Sequence, residues 1–117
     1  ELNETAFTGE LISRVQSYIQ EHFAEELTLN VLAERFYVSP SYLSRLFKKK
    51  TGVNFIDYLT GYRLEKAKEY LTKTSRKVYH ISEMIGYENP RYFSRLFKEA
   101  TGCTPQEYRS RFQREGL

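Results

Sequence analysis

Two segments of this chain are nearly the same helix written twice. Residues 42–52 read YLSRLFKKKTG and residues 92–102 read YFSRLFKEATG. The match continues on both sides at an offset of 50, pairing Pro40 with Pro90, Tyr42 with Tyr92, Ser44 with Ser94, Arg45 with Arg95, Leu46 with Leu96, Phe47 with Phe97, Lys48 with Lys98, Gly52 with Gly102 and Tyr58 with Tyr108. A buried core needs only its apolar positions repeated. Here the polar and basic positions repeat as well, so whatever the repeat serves involves the outside of the helix.

The 117 residues suffice for one domain or two very small ones. A half of about fifty residues buries little surface by itself, so the halves are expected to lean on something shared. The 40% hydrophobic and 15% aromatic content fits a packed globular chain. No apolar run approaches the roughly 18 residues of a membrane span, and no signal-peptide pattern is present. Cys103 is the only cysteine, which rules out an internal disulfide and a thiolate metal cluster and makes a reducing cytoplasm the expected compartment. The chain opens on Glu1 rather than methionine and is read as part of a longer protein.

The net charge of +3 hides a strong asymmetry. Residues 1–34 carry one basic and seven acidic side chains (−6), residues 35–77 eleven basic and three acidic (+8), and residues 78–117 six basic and five acidic (+1). A basic middle behind an acidic opening suits a polyanionic partner on one part of the surface.

Apolar spacing is helical almost throughout. From Gly9 to about Phe23, residues Leu11, Ile12, Val15, Tyr18, Ile19 and Phe23 share one face. Thr28 is placed to cap a short helix carrying Leu29, Leu32, Ala33 and Phe36. Ser39 is a good N-cap with Pro40 at the first helical position, and Gly52 ends that helix. Asn54 caps a long segment to about Leu71, with Phe55, Ile56, Leu59, Tyr62, Ala67, Tyr70 and Leu71 as its apolar face and Gly61 inside it. A polar linker follows, then a short helix near Val78–Ile85, a turn, and a helix capped by Asn89 and ended by Gly102. Thr104–Glu107 reads as a capping box that opens the last helix. The expectation is an all-α chain of about seven helices: a first helix-turn-helix subdomain at 9–53, a linker helix at 54–73 and a second helix-turn-helix subdomain at 74–115. The short helices match at an offset of 49 (Leu32/Ile81, Ala33/Ser82, Phe36/Ile85), so the second turn holds one extra residue.

On a wheel of about 100° per residue, Leu43, Leu46 and Phe47 define the buried side of the second helix. Ser41, Ser44, Arg45 and Lys48 fall on the opposite side, Tyr42 at the border. In the second copy the outward residues are Arg91, Ser94, Arg95 and Lys98. A DNA major groove admits one α-helix, and arginine can bond guanine O6 and N7 together. Lysine one turn on suits phosphate, as do helix N-termini, near which Thr28, Ser39, Val78 and Asn89 lie. Lys49, Arg76 and Lys77 complete the phosphate candidates with Thr28, Ser39, Lys48, Asn89 and Lys98. A helix of about 19 residues is roughly 28 Å long, against about 34 Å between major-groove faces on one side of DNA. Two reading helices in adjacent grooves are therefore expected, with the DNA bent toward the protein.

The stretch ISEMIGYENPRYFSRLFKEATGCTPQEYR resembles the signature of the AraC/XylS family of bacterial transcription regulators, in their C-terminal DNA-binding domain. The likeness covers roughly residues 10–112. Ser82 stands where the family favours alanine, and Tyr87 where it favours phenylalanine. The resemblance implies two helix-turn-helix units joined by a long helix, binding an asymmetric site of about two helical turns as a monomeric unit. It places base reading at Ser41, Ser44, Arg45, Arg91, Ser94 and Arg95. It also implies transcriptional activation through RNA polymerase, and a parent protein that dimerises through an N-terminal domain. Within the family the chain looks like the response regulators, in which a receiver precedes this domain.

Other chemistry has little support. His22 and His80 lie far apart without spaced cysteine or carboxylate ligands, so no metal site and no cofactor are expected. No nucleophile has a base partner and no glycine-rich phosphate loop is present, so an enzyme is not expected. Tyr42, Tyr58, Tyr92 and Tyr108 repeat at positions read as packing, with hydroxyls at the surface. The rival readings are a helical protein-interaction module whose basic faces dock an acidic partner, and a non-specific nucleic-acid packaging protein.

Overall fold

The computed structural model describes residues 2–113, with side chains from residue 6 onward. Seven helices follow in order: α1 Leu2–His22, α2 Leu29–Arg35, α3 Pro40–Thr51, α4 Phe55–Lys73, α5 Val78–Met84, α6 Pro90–Thr101 and α7 Pro105–Phe112. No strand occurs among the described residues. The chain divides into two units, residues 1–61 and 62–117, with the division inside α4.

In the first unit, α3 packs on both α1 and α2. Its core holds Leu11, Ile12, Val15 and Ile19 of α1, Leu32 and Ala33 of α2, Leu43 and Phe47 of α3, and Phe55 and Leu59 of α4. Phe47 meets the rings of Phe55 and Tyr58 edge-on, at 6.5 and 5.3 Å between centroids. α1 begins seven residues before the expected Gly9 and runs through it, since nothing in residues 2–8 breaks a helix. Phe23 lies just beyond the helix end, half-buried against the core.

In the second unit, α5 packs on α6 and α6 on α7. Leu64, Ala67, Leu71, Ile81, Ile85, Phe93 and Phe97 are buried. Arg109 of α7 donates through Nε to the Leu71 carbonyl (3.0 Å) and through Nη2 to that of Thr74 (3.2 Å). These bonds satisfy carbonyls that the end of α4 leaves without a helical partner. Thr104 and Glu107 close the expected capping box, Thr104 Oγ1 accepting from Glu107 N at 3.1 Å and Glu107 Oε1 from Thr104 N at 2.9 Å. The bond from the Thr104 backbone N–H is the largest influence holding the Glu107 carboxyl below its ordinary value of 4.5.

One expectation about α4 changes, and one further residue proves to be buried. Ile56 is 60% exposed: at this end of α4 the buried residues are Phe55 and Leu59, and Ile56 lies about 100° round from the first and about 60° from the second. Arg63 follows at i+4 from Leu59 and is buried, its guanidinium 5.0 Å over the ring of Tyr87. The Ser82 hydroxyl is fully buried and donates to the Tyr87 carbonyl at 2.7 Å, so this departure from alanine carries its own hydrogen bond. Cys103 is buried, with Arg111 Nη1 donating to its sulfur at 3.4 Å.

Gly61 is an exposed interior residue of α4, and a Cβ there would meet no atom within 4 Å. Gly61→Ala is expected to raise stability by about 1 kcal/mol through helix propensity alone. Chemical denaturation checks this; a variant no more stable than the parent would mean that α4 is not a regular helix at its midpoint.

Candidate nucleic-acid interface

Each unit builds the same local device from the same chemistry. In the first, the turn between α2 and α3 is closed by Val38 N donating to Ala33 O at 3.0 Å and Tyr37 N to Glu34 O at 3.3 Å. In the second, Tyr87 N donates to Ser82 O at 2.9 Å and Gly86 N to Glu83 O at 3.1 Å. The inserted residue is Glu88, between Tyr87 and the cap Asn89. Ser39 Oγ accepts from Tyr42 N (3.1 Å), and Asn89 Oδ1 from Arg91 N (2.9 Å) and Tyr92 N (3.3 Å). Both following helices start at a proline and end at a left-handed glycine, Gly52 (φ 87°) and Gly102 (φ 85°). The two helices are therefore both twelve residues long, with equivalent starts and stops.

Burial fixes which face looks out. Leu43 and Phe47 are buried in α3, as are Phe93 and Phe97 in α6, at i and i+4 in each. Ser41, Ser44, Arg45, Lys48 and Lys49 are exposed in the first unit; Arg91, Arg95 and Lys98 are exposed in the second and Ser94 is half-buried. Within each unit the outward side chains thus share one helix face. Among the described residues, Arg45, Lys48, Lys49 and Arg91 have no ion-pair partner, so their charge is available to an outside anion.

The phosphate candidates at helix starts are partly committed. Thr28 Oγ1 accepts from Val31 N at 3.1 Å, and Ser39 and Asn89 cap as described. These bonds take one backbone N–H at the start of α2, one at α3 and two at α6 that could otherwise hold phosphate, and the hydroxyl protons of Thr28 and Ser39 and the amide protons of Asn89 stand beside them as further donors. Lys77 caps α5 through its backbone position only, and it and Arg76 are exposed. Arg76 Nη1 lies 3.3 Å from His80 Nε2, which accepts in the tautomer that carries its proton on Nδ1.

Two features of the surface escape a reading by periodicity. Tyr92, expected to pack, is 43% exposed and carries the Arg95 guanidinium 5.4 Å over its ring. Its equivalent Tyr42 is half-buried against the first core. The sequence signal was the aromatic Tyr87 in place of Val38, which changes what stands behind the tyrosine. Tyr37, 92% exposed, holds φ 61° in the first turn, where the second unit has Gly86 at φ 102°.

Comparison with known proteins places these units in context. A family model described as a helix-turn-helix domain matches residues 32–111. The HTH-type transcriptional regulator YtdP of Bacillus subtilis (strain 168) is 41% identical over 93 residues, 80% of this chain; the chain spans 12% of that protein. Among solved structures, the C-terminal domain of AraT, a response regulator from Geobacillus stearothermophilus, superimposes with a TM-score of 0.88 at 42% identity, covering 92% of this chain and 89% of that one. The DNA-binding domain of AdpA, a global transcriptional factor solved in complex with a target DNA, gives 0.82 at 25% identity over 86% of this chain and 91% of its own.

Tyr37→Gly is expected to raise stability by about 0.5 kcal/mol, since relief of the left-handed strain outweighs the entropy glycine adds to the unfolded chain. A lowered midpoint in urea would show instead that the tyrosine side chain holds the turn.

Proposed function

We infer, for a chain that belongs to the AraC-type helix-turn-helix family of DNA-binding transcription regulators, that α3 and α6 are its two reading helices and enter adjacent major grooves of one DNA site. The observation that carries this reading is the duplicated outward face. Both helices repeat Ser-Arg-x-x-Lys at Ser44, Arg45 and Lys48 and at Ser94, Arg95 and Lys98, with the arginine and lysine exposed in both. An interaction module could keep one such helix; it has no physical reason to repeat the polar residues along with the core.

Roles divide by reach and chemistry. Ser41, Ser44, Arg45, Arg91, Ser94 and Arg95 contact base edges, with Arg45 and Arg95 each bidentate to a guanine. Lys48, Lys49, Lys98, Arg76, Lys77, Thr28, Ser39 and Asn89 hold phosphates. α4 has 19 residues, about 28 Å, and is the connector whose length suits neighbouring grooves on a DNA bent toward the protein. The domain serves as the output module of a longer bacterial regulator that works in the cytoplasm and activates transcription by contacting RNA polymerase. The likeness to the domain of a response regulator supports placing it after a receiver.

Binding to a selected site is expected to weaken steeply with salt, as phosphate neutralisation demands, and random DNA is expected to compete poorly. Arg45→Ala is expected to cost about 1–3 kcal/mol and relax preference at one base pair, while Lys48→Ala weakens all sequences alike and lowers the salt slope by about 1. Equal loss on all sequences from Arg45→Ala would contradict the base-reading role.

A further inference from the structure

The two copies differ where they should matter most, around the reading arginine. In the first unit, Arg45 makes no ion pair and no cation–π contact among the described residues, and Tyr42 lies half-buried against the core. In the second, Arg95 lies over Tyr92. Tyr92 is braced from behind: its ring meets that of Tyr87 edge-on at 5.7 Å and 69°. Tyr87 in turn stacks on buried Phe93 at 6.3 Å and 17°, beneath the guanidinium of Arg63. The row Arg63–Tyr87–Tyr92–Arg95 therefore runs from the interior of the unit to its outward face. Val38 stands in the place of Tyr87 in the first copy, so no such row can form there.

Two consequences follow from this row. A guanidinium held over a ring loses less freedom when it docks than one that sways in water. The part of the Tyr92 ring left in solvent also forms an apolar surface directly beside the arginine that meets the base edge. The apolar group on the floor of a major groove is the thymine methyl.

Building on the base-reading role assigned to Arg95, we propose that Tyr92 is a specificity-determining residue: Tyr92 and Arg95 act as one plate that recognises a guanine together with the methyl of a thymine in the adjoining base pair. The first unit, lacking the plate, reads its guanine through Arg45 without a preference for a thymine neighbour.

The test selects sites from random DNA with this chain and with Tyr92→Phe and Tyr92→Ala, then measures competition with the selected thymine replaced by uracil, which removes only the methyl. The parent and Tyr92→Phe are expected to select guanine with an adjoining thymine in one half-site and to lose at least about fivefold on uracil replacement. Tyr92→Ala is expected to show no uracil effect and at least about fivefold less discrimination for that guanine, with the other half-site unchanged. Because each ratio is taken within one variant, a partly unfolded Tyr92→Ala sample does not alter it. A uracil effect that survives in Tyr92→Ala, a Tyr92→Phe variant that behaves like Tyr92→Ala, or a parent that selects the guanine with no fixed neighbour overturns the plate and leaves base reading by Arg95 standing. A parent that selects no guanine in either half-site overturns base reading by the arginines, and the plate with it.

Discussion

A twelve-residue helix that buries one stripe of large side chains must turn the opposite face to water. In α3 the stripe is Leu43 and Phe47, and in α6 it is Phe93 and Phe97. Everything outward in these helices is positioned by that burial and by the caps that fix where each helix starts and stops. Ser39 and Asn89 set the first turn, and Gly52 and Gly102 end the last. With phase and length both fixed, Arg45 and Arg95 occupy equivalent places on equivalent helices. The geometry that turns each cation outward is thus a by-product of how a small core is closed.

The fold was legible to the extent that its signals were local. Proline after Ser39 and Asn89, glycine after Thr51 and Thr101, and the Thr104/Glu107 box act within one turn of helix, and all appear in the structure where they were read. The outward face was legible because each residue's angle on a helix follows from its number. What was not legible depended on contacts distant in sequence. Arg63 is charged and lies outside the apolar face read for α4, yet its place after Leu59 and the ring of Tyr87 put it inside. Ile56 is apolar and reads as core, yet it lies to one side of the buried Phe55 and Leu59. Tyr92 aligns with Tyr42, yet its ring meets that of Tyr87 where the first copy has Val38.

Duplication explains why the surface is so informative. Two copies that preserve only their cores would indicate a structural repeat. These copies preserve the outward serine, arginine and lysine and differ in detail around them. Phosphate candidates vary more than reading candidates: Lys49 pairs with Glu99, and Thr28 with Lys77. Such variation suits contacts that carry charge rather than sequence information, because a backbone of evenly spaced phosphates accepts a cation from several directions.

We propose that Arg45 and Arg95 both stand in major grooves of one duplex. Dimethyl sulfate methylates guanine N7, the atom that a bidentate arginine covers. On a selected site bound by this chain, two protected guanines are expected about ten base pairs apart, on the same side of the helix. Protection at one guanine alone, or none while the phosphates are shielded, would contradict it.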